Sequence, residues 1–171
     1  PKQVERADDR KIFLDFRPMY DEEENLIGVV TVGTDKTQEH YATLKAKENQ
    51  EYAEMVIKIV KNKKHFVGFI NESKDMIEKM KSAINDSSGP QIGPLLLLLH
   101  SLKGGAGVYS VTKLRETVHE VESSVLEHKD LSPTELTNKV AEFSTLIYDV
   151  EKIFNEALEE FATFLGDSVV D

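Results

Sequence analysis

The chain has 171 residues, room for one good-sized domain or for a domain with a fragment beside it. Hydrophobic residues make up 40% and charged residues 30%, with only 9 Gly and 5 Pro, which describes a globular, helix-rich chain and excludes a disordered one. A formal net charge of -10 argues against nucleic acid or an anionic membrane surface as partner, and the lack of cysteine excludes disulfides and thiolate metal sites and suits a reducing cytoplasm.

No stretch approaches the roughly 20 apolar residues of a membrane span, so no membrane insertion is expected. The chain starts at Pro1, has no visible signal peptide, and reads as a piece of a longer protein. Ile12, Leu14 and Phe16 alternate with Lys11, Asp15 and Arg17, the period of a half-buried strand. Leu26 to Val32 is apolar and β-branched, and Asp21 to Asn25 is a polar turn between the two, so a β-hairpin is predicted. A lone hairpin is marginal in water, and these strands are expected to have belonged to a larger sheet. Asp35 then offers an N-cap for a helix running to Lys61. Its apolar positions are Tyr41, Leu44, Tyr52, Met55, Val56 and Ile59, with Glu48 and Glu51 interrupting the stripe. Such a weak heptad seam suits a signalling linker or a homodimer coil, and equally a solvated connector.

From Phe66 to Ile84 the helical period is clear, carried by Phe66, Phe69, Ile70, Ser73, Ile77, Met80 and Ile84. Asn85 to Pro90 breaks it. A third helix is predicted from Ile92 to Val108, a turn at Tyr109-Ser110, and a fourth helix from Thr112 to Glu127 with Leu114, Val118, Val121 and Val125 on one face. Asp130 to Pro133 is the next break, with Ser132 as N-cap and Pro133 at the first helical position. The last helix runs to Leu165, long enough to be two helices or to project beyond its neighbours. The predicted fold is mainly α: an antiparallel helical bundle over 64–168, preceded by a β-hairpin fragment over 1–36 and a linker helix over 37–63.

The chemistry concentrates at His100-Ser101-Leu102-Lys103-Gly104-Gly105-Ala106-Gly107. The leucines at 95 to 99 cover nearly every side of a helix and predict one buried on most of its surface, after which the character changes to His, Lys and small residues. Gly104 lies about 40° round from His100, and Gly107 almost directly above it. The strip beside the imidazole is therefore cleared of side chains, with Lys103 flanking it as a counter-charge. Three glycines in a helix cost a few kcal/mol, on the order of 1 kcal/mol each, and close approach of another protein's backbone would offset that. His100 lies about ten residues before the predicted turn, and His119 and Glu122 lie a similar distance after it. An antiparallel hairpin sets them side by side. His119 and Glu122 share a face. A carboxylate on one imidazole nitrogen fixes the tautomer and leaves the other nitrogen nucleophilic, and Glu122 is the candidate for that role. The glycine run lacks the Gly-Lys-Ser/Thr ending of a phosphate-binding loop, and His40, His65 and His128 have no comparable context.

His-x-x-Lys-Gly followed by Gly-x-Gly resembles the histidine phosphotransfer (HPt) domain, and most closely the HPt domain of CheA-class chemotaxis-type histidine kinases. In that class the phosphohistidine and a nearby lysine are joined by a histidine and a glutamate on the following helix, at the spacing of His100, Lys103, His119 and Glu122. Where the family often has a Phe-Gly type turn, this chain has Val108-Tyr109-Ser110. Arg17-Pro18-x-Tyr20-Asp21, Gly28 and Gly33-x-Asp35-x-Thr37 resemble the last two strands of a PAS sensor domain. The resemblance implies His100 as phosphoacceptor, with Lys103, His119 and Glu122 around it and Gly104 and Gly107 on the binding surface. It implies a histidine kinase catalytic domain, which binds the ATP, and a response-regulator receiver domain as partners. No cofactor or metal is expected in this chain, and the parent is expected to be a cytoplasmic sensor histidine kinase. The alternative is an unphosphorylated, sensor-linked dimerisation or protein-binding helical module.

Overall fold

The structure is a computed structural model; it describes residues 2–5 and 9–165, with side chains from 9 to 162. The chain divides into two compact units, residues 1–50 and 51–171. The first contains three antiparallel strands, β1 (Lys2–Glu5), β2 (Lys11–Tyr20) and β3 (Leu26–Asp35), in the order β1-β2-β3. The predicted hairpin is β2–β3, with Leu14 opposite Gly33 and Asp15 opposite Val32. Its turn forms because Asp21 Oδ1 accepts from the backbone N–H groups of Glu23 (2.9 Å) and Asn25 (2.8 Å). The third strand, β1, was not predicted. Its Lys-Gln-Val-Glu run has one apolar residue and no alternation, and it joins through main-chain pairing with β2, Val4 opposite Ile12.

The half-buried character expected of Ile12, Leu14 and Phe16 does not hold along the whole strand. Residues 11–15 are partly covered, whereas Phe16, Met19, Tyr20, Leu26, Ile27 and Val29 are exposed. Three hydrogen bonds join the sheet to the helix that follows it. The Lys36 N–H donates to Lys11 O, the Lys11 N–H to Thr37 Oγ1, and the Thr37 N–H to Asp35 Oδ1, each at 2.9 Å. The N-cap position of α1 (Thr37–Lys61) is Lys36, whose carbonyl accepts from the His40 N–H at 2.9 Å, and Asp35, the expected cap, lies one residue earlier and serves the Thr37 N–H in an Asx turn.

The second unit takes in the end of α1, then α2 (Lys63–Ile84), α3 (Ile92–Val108), α4 (Thr112–Leu126), the short α5 (Pro133–Thr137) and α6 (Val140–Leu165). Met55 and Ile59 of α1 are buried with the bundle, so the last turns of the expected 37–63 linker belong to its core. The expected end at 168 lies outside the described residues. α3 packs between α2 and α4, and α6 closes the ring against α4 and α2. The predicted stripes of α2 and α4 are the buried ones: Phe66, Phe69, Ile70, Ser73, Ile77, Met80 and Ile84, and Leu114, Val118, Val121 and Val125. Phe66 meets Tyr109 and Phe161 edge-on, each at 4.9 Å between ring centres.

Ser132 makes the expected cap, a reciprocal capping box with Glu135, and Pro133 begins the turn. The long last helix is two helices, broken at Asn138-Lys139 between α5 and α6. At α3 the expected burial holds in part, with Leu96 and Leu98 half-buried. Leu95 and Leu99 are fully buried, but Leu97 is 68% exposed. With neighbours α2 and α4, the helix keeps one side facing solvent, and Leu97 lies there.

Candidate phosphotransfer site on the α3–α4 hairpin

The two helices meet through a tight reversal. Val111 N–H donates to Ala106 O (2.9 Å) and Ser110 N–H to Gly107 O (3.2 Å), the paired bonds of a Schellman helix end. Ser110 takes the left-handed conformation that glycine prefers (φ 57°), and its hydroxyl accepts from Lys58 Nζ at 2.7 Å. Tyr109 is buried against Phe66 and Phe69. The Val-Tyr-Ser sequence therefore builds a complete turn, and α3 ends at Val108 as predicted.

This reversal brings together residues 22 apart in sequence. His100 Nδ1 lies 3.1 Å from Glu122 Oε1, and Lys103 Nζ donates to Glu122 Oε2. The imidazole is 71% exposed, whereas the carboxylate is 17% exposed and the lysine 26%. His119 stands beside the group, its Nδ1 3.8 Å from Glu122 Oε2, too far for a hydrogen bond. Burial pushes the Glu122 carboxyl up, but hydrogen bonds from Lys103 and His100, reinforced by their charge, outweigh it and hold the group below its usual range. An ionised carboxylate only accepts hydrogen bonds. The proton between His100 and Glu122 therefore sits on Nδ1, and the lone pair of His100 Nε2 is left for chemistry.

The three glycines divide by cause. A Cβ at Gly104 would meet nothing within 4 Å, so this position is open. A Cβ at Gly105 would come within 2.5 Å of the Phe69 ring, so α2–α3 packing itself requires Gly105. A Cβ at Gly107 would stand 3.4 Å from Arg115 Cδ, in ordinary contact.

Two grooves flank His100, and both contain residues the sequence reading passed over. One is apolar, with Leu96, Leu97 and Leu126 beside His100, His119 and Glu122. The other is polar, with Arg115 and Glu116 beside His100, Lys103, Gly104, Gly107 and His119. Helical spacing contains the signal for each. Leu97 is three residues before His100, Leu126 four after Glu122, and Arg115 four before His119, all on shared faces. His128, for which no role was expected, is half-buried, with Nδ1 2.8 Å from Ser124 O and its ring edge-on to Phe143. Among the described residues no cluster of His, Asp or Glu could hold a metal ion, and no helix is long and apolar enough to cross a membrane.

Fold and site together define a helical bundle that presents an exposed imidazole with one ring nitrogen held by a partly buried carboxylate. A family profile described as the Hpt domain matches residues 67–161, more than half of the chain. The chain belongs to the Hpt domain family, whose work is histidine phosphotransfer in two-component signalling and whose members interact with kinases and response regulators. No curated protein and no solved structure matches it.

Proposed function

We propose that His100 accepts a phosphoryl group from ATP bound by a histidine kinase catalytic domain and passes it to an aspartate of a response-regulator receiver domain. The observation that carries this reading is the Nδ1 contact to Glu122 at 3.1 Å beneath an exposed ring. Nε2 attacks the γ-phosphorus, an N–P bond forms, and the P–O bond to ADP breaks. The ring becomes cationic while Nδ1 keeps its proton, and the Glu122 carboxylate stabilises that charge. In the second step an aspartate oxygen attacks phosphorus, the N–P bond breaks, and neutral imidazole returns with an acyl phosphate on the regulator. Lys103 holds the carboxylate in place and offers remaining donors to the phosphoryl oxygens.

Gly104 leaves room for a partner's backbone beside the ring, and Gly107 keeps the strip above it low. Exposed Leu97 and Leu126 supply an apolar rim for docking. Four site residues at the predicted spacing on two successive helices support the narrower assignment to the CheA class. The antiparallel strands β2 and β3, with the Arg17-Pro18-x-Tyr20-Asp21 turn approach, support a PAS-like sensor upstream in a cytoplasmic signalling protein. The test is incubation of this chain with a cognate kinase and ATP. An acid-labile phosphate is expected on the wild-type chain and not on His100→Gln, and labelling that survives the substitution would refute the assignment.

A further inference from the structure

The polar groove beside His100 contains a cation that the mechanism above does not use. Resting on His100 as phosphoacceptor, we propose that Arg115 binds the phosphoryl oxygens of phosphorylated His100 through its guanidinium and orients them for transfer.

The charge balance of the site calls for such a group. In the resting site Lys103 is committed to Glu122 Oε2, while Glu122 Oε1 is committed to His100. A phosphoryl group adds close to two negative charges at neutral pH, next to the Glu122 carboxylate, in a chain whose net charge is already -10. A single ammonium divided between carboxylate and phosphoryl leaves the phosphorylated site negative. Arg115 lines the same groove as His100 and Lys103. Among the described residues its guanidinium has no hydrogen-bond or ion-pair partner, not even the adjacent Glu116 that also lines the groove.

The direction of the side chain fits. Arg115 belongs to α4, yet its Cδ lies 3.4 Å from where a Cβ on Gly107 of α3 would stand. Its stem therefore crosses toward the strip that continues above His100 along α3, within contact distance of position 107. A planar guanidinium donates two parallel hydrogen bonds to phosphoryl oxygens, which an ammonium cannot do. Lys103 would then remain the anchor of Glu122 with donors to spare for phosphate, and Arg115 would carry the larger share of the phosphoryl charge.

The experiment compares wild type, Arg115→Gln, Arg115→Lys and His100→Gln, each phosphorylated by a cognate kinase with ATP or by phosphoramidate. Two quantities are read on the full chain: the pH titration of the phosphohistidine signal in the phosphorus NMR spectrum, and the rate of transfer to a receiver domain. A guanidinium on the phosphoryl group favours its dianion, so the titration of Arg115→Gln should move to higher pH. Transfer should slow about tenfold, as for loss of one charge-assisted hydrogen bond. Arg115→Lys should recover part of both. Arg115 is exposed, and an unchanged melting temperature in Arg115→Gln separates these effects from misfolding. If Arg115→Gln labels at His100 and both quantities match wild type, the role of Arg115 is overturned and the phosphoacceptor assignment stands. If neither donor labels His100, or His100→Gln labels equally, both are overturned.

Discussion

At Glu122 two opposing effects meet, burial that pushes the carboxyl up and hydrogen bonds from Lys103 and His100 that pull it down further. The net depression has a pH consequence with a definite sign. A folded-state value below the unfolded one adds stability that is fully present above the ordinary glutamate value of 4.5 and is lost as pH falls through the depressed value. Glu122→Gln removes that contribution. Denaturant unfolding should find wild type more stable than the variant near neutral pH, with the gap closing in the acid range below 4.5. A gap independent of pH would contradict the carboxylate's role as an ionised anchor. The same variant should accept phosphate about 10-fold more slowly, the usual scale for removing a group that orients a reactive imidazole.

α3 shows how one residue type serves different ends within four positions. Gly104→Ala enters open space, and helix propensity alone should stabilise the fold by up to about 1 kcal/mol. Gly105→Ala drives a methyl into the Phe69 ring and should destabilise it by about 1–3 kcal/mol. Thermal melts of the two variants should move in opposite directions, and a shift of the same sign would refute the division. From sequence the two glycines are indistinguishable, because the distinction lies in a side chain of α2. The bundle was legible where a 3.6-residue period was unbroken, as from Phe66 to Ile84, and where a cap had its own chemistry, as at Ser132-Pro133. The pairing of His100 with Glu122 was legible because a short turn between two helices makes a ruler. β1 was not legible, since main-chain pairing leaves no pattern in Lys-Gln-Val-Glu. Arg115 and Leu97 were not, since an exposed arginine or leucine on a helix looks like any other until its neighbours across the hairpin are known. The exposed side of the leucine run was not legible for a related reason: hydrophobicity all round a helix does not supply neighbours on every side.

Across the whole molecule the compact units divide at Gln50/Glu51, within a single helix. Met55 and Ile59 are buried in the bundle core, and Lys58 reaches the hydroxyl of Ser110 at the end of α3. A chain beginning at residue 64 should therefore be less stable than one beginning at 51 by about 3 kcal/mol or more, the cost of emptying two large core positions. Equal denaturation midpoints would show that the end of α1 adds nothing to the bundle. The end of α1 thus supports the reversal that sets His100 against Glu122. Whether that reversal exists to direct phosphate is answered by the nitrogen that carries it. In the phosphorylated chain, nitrogen and phosphorus NMR of the His100 ring should place the phosphoryl group on Nε2, with Nδ1 protonated. Phosphate on Nδ1, or on any residue other than His100, would contradict the account.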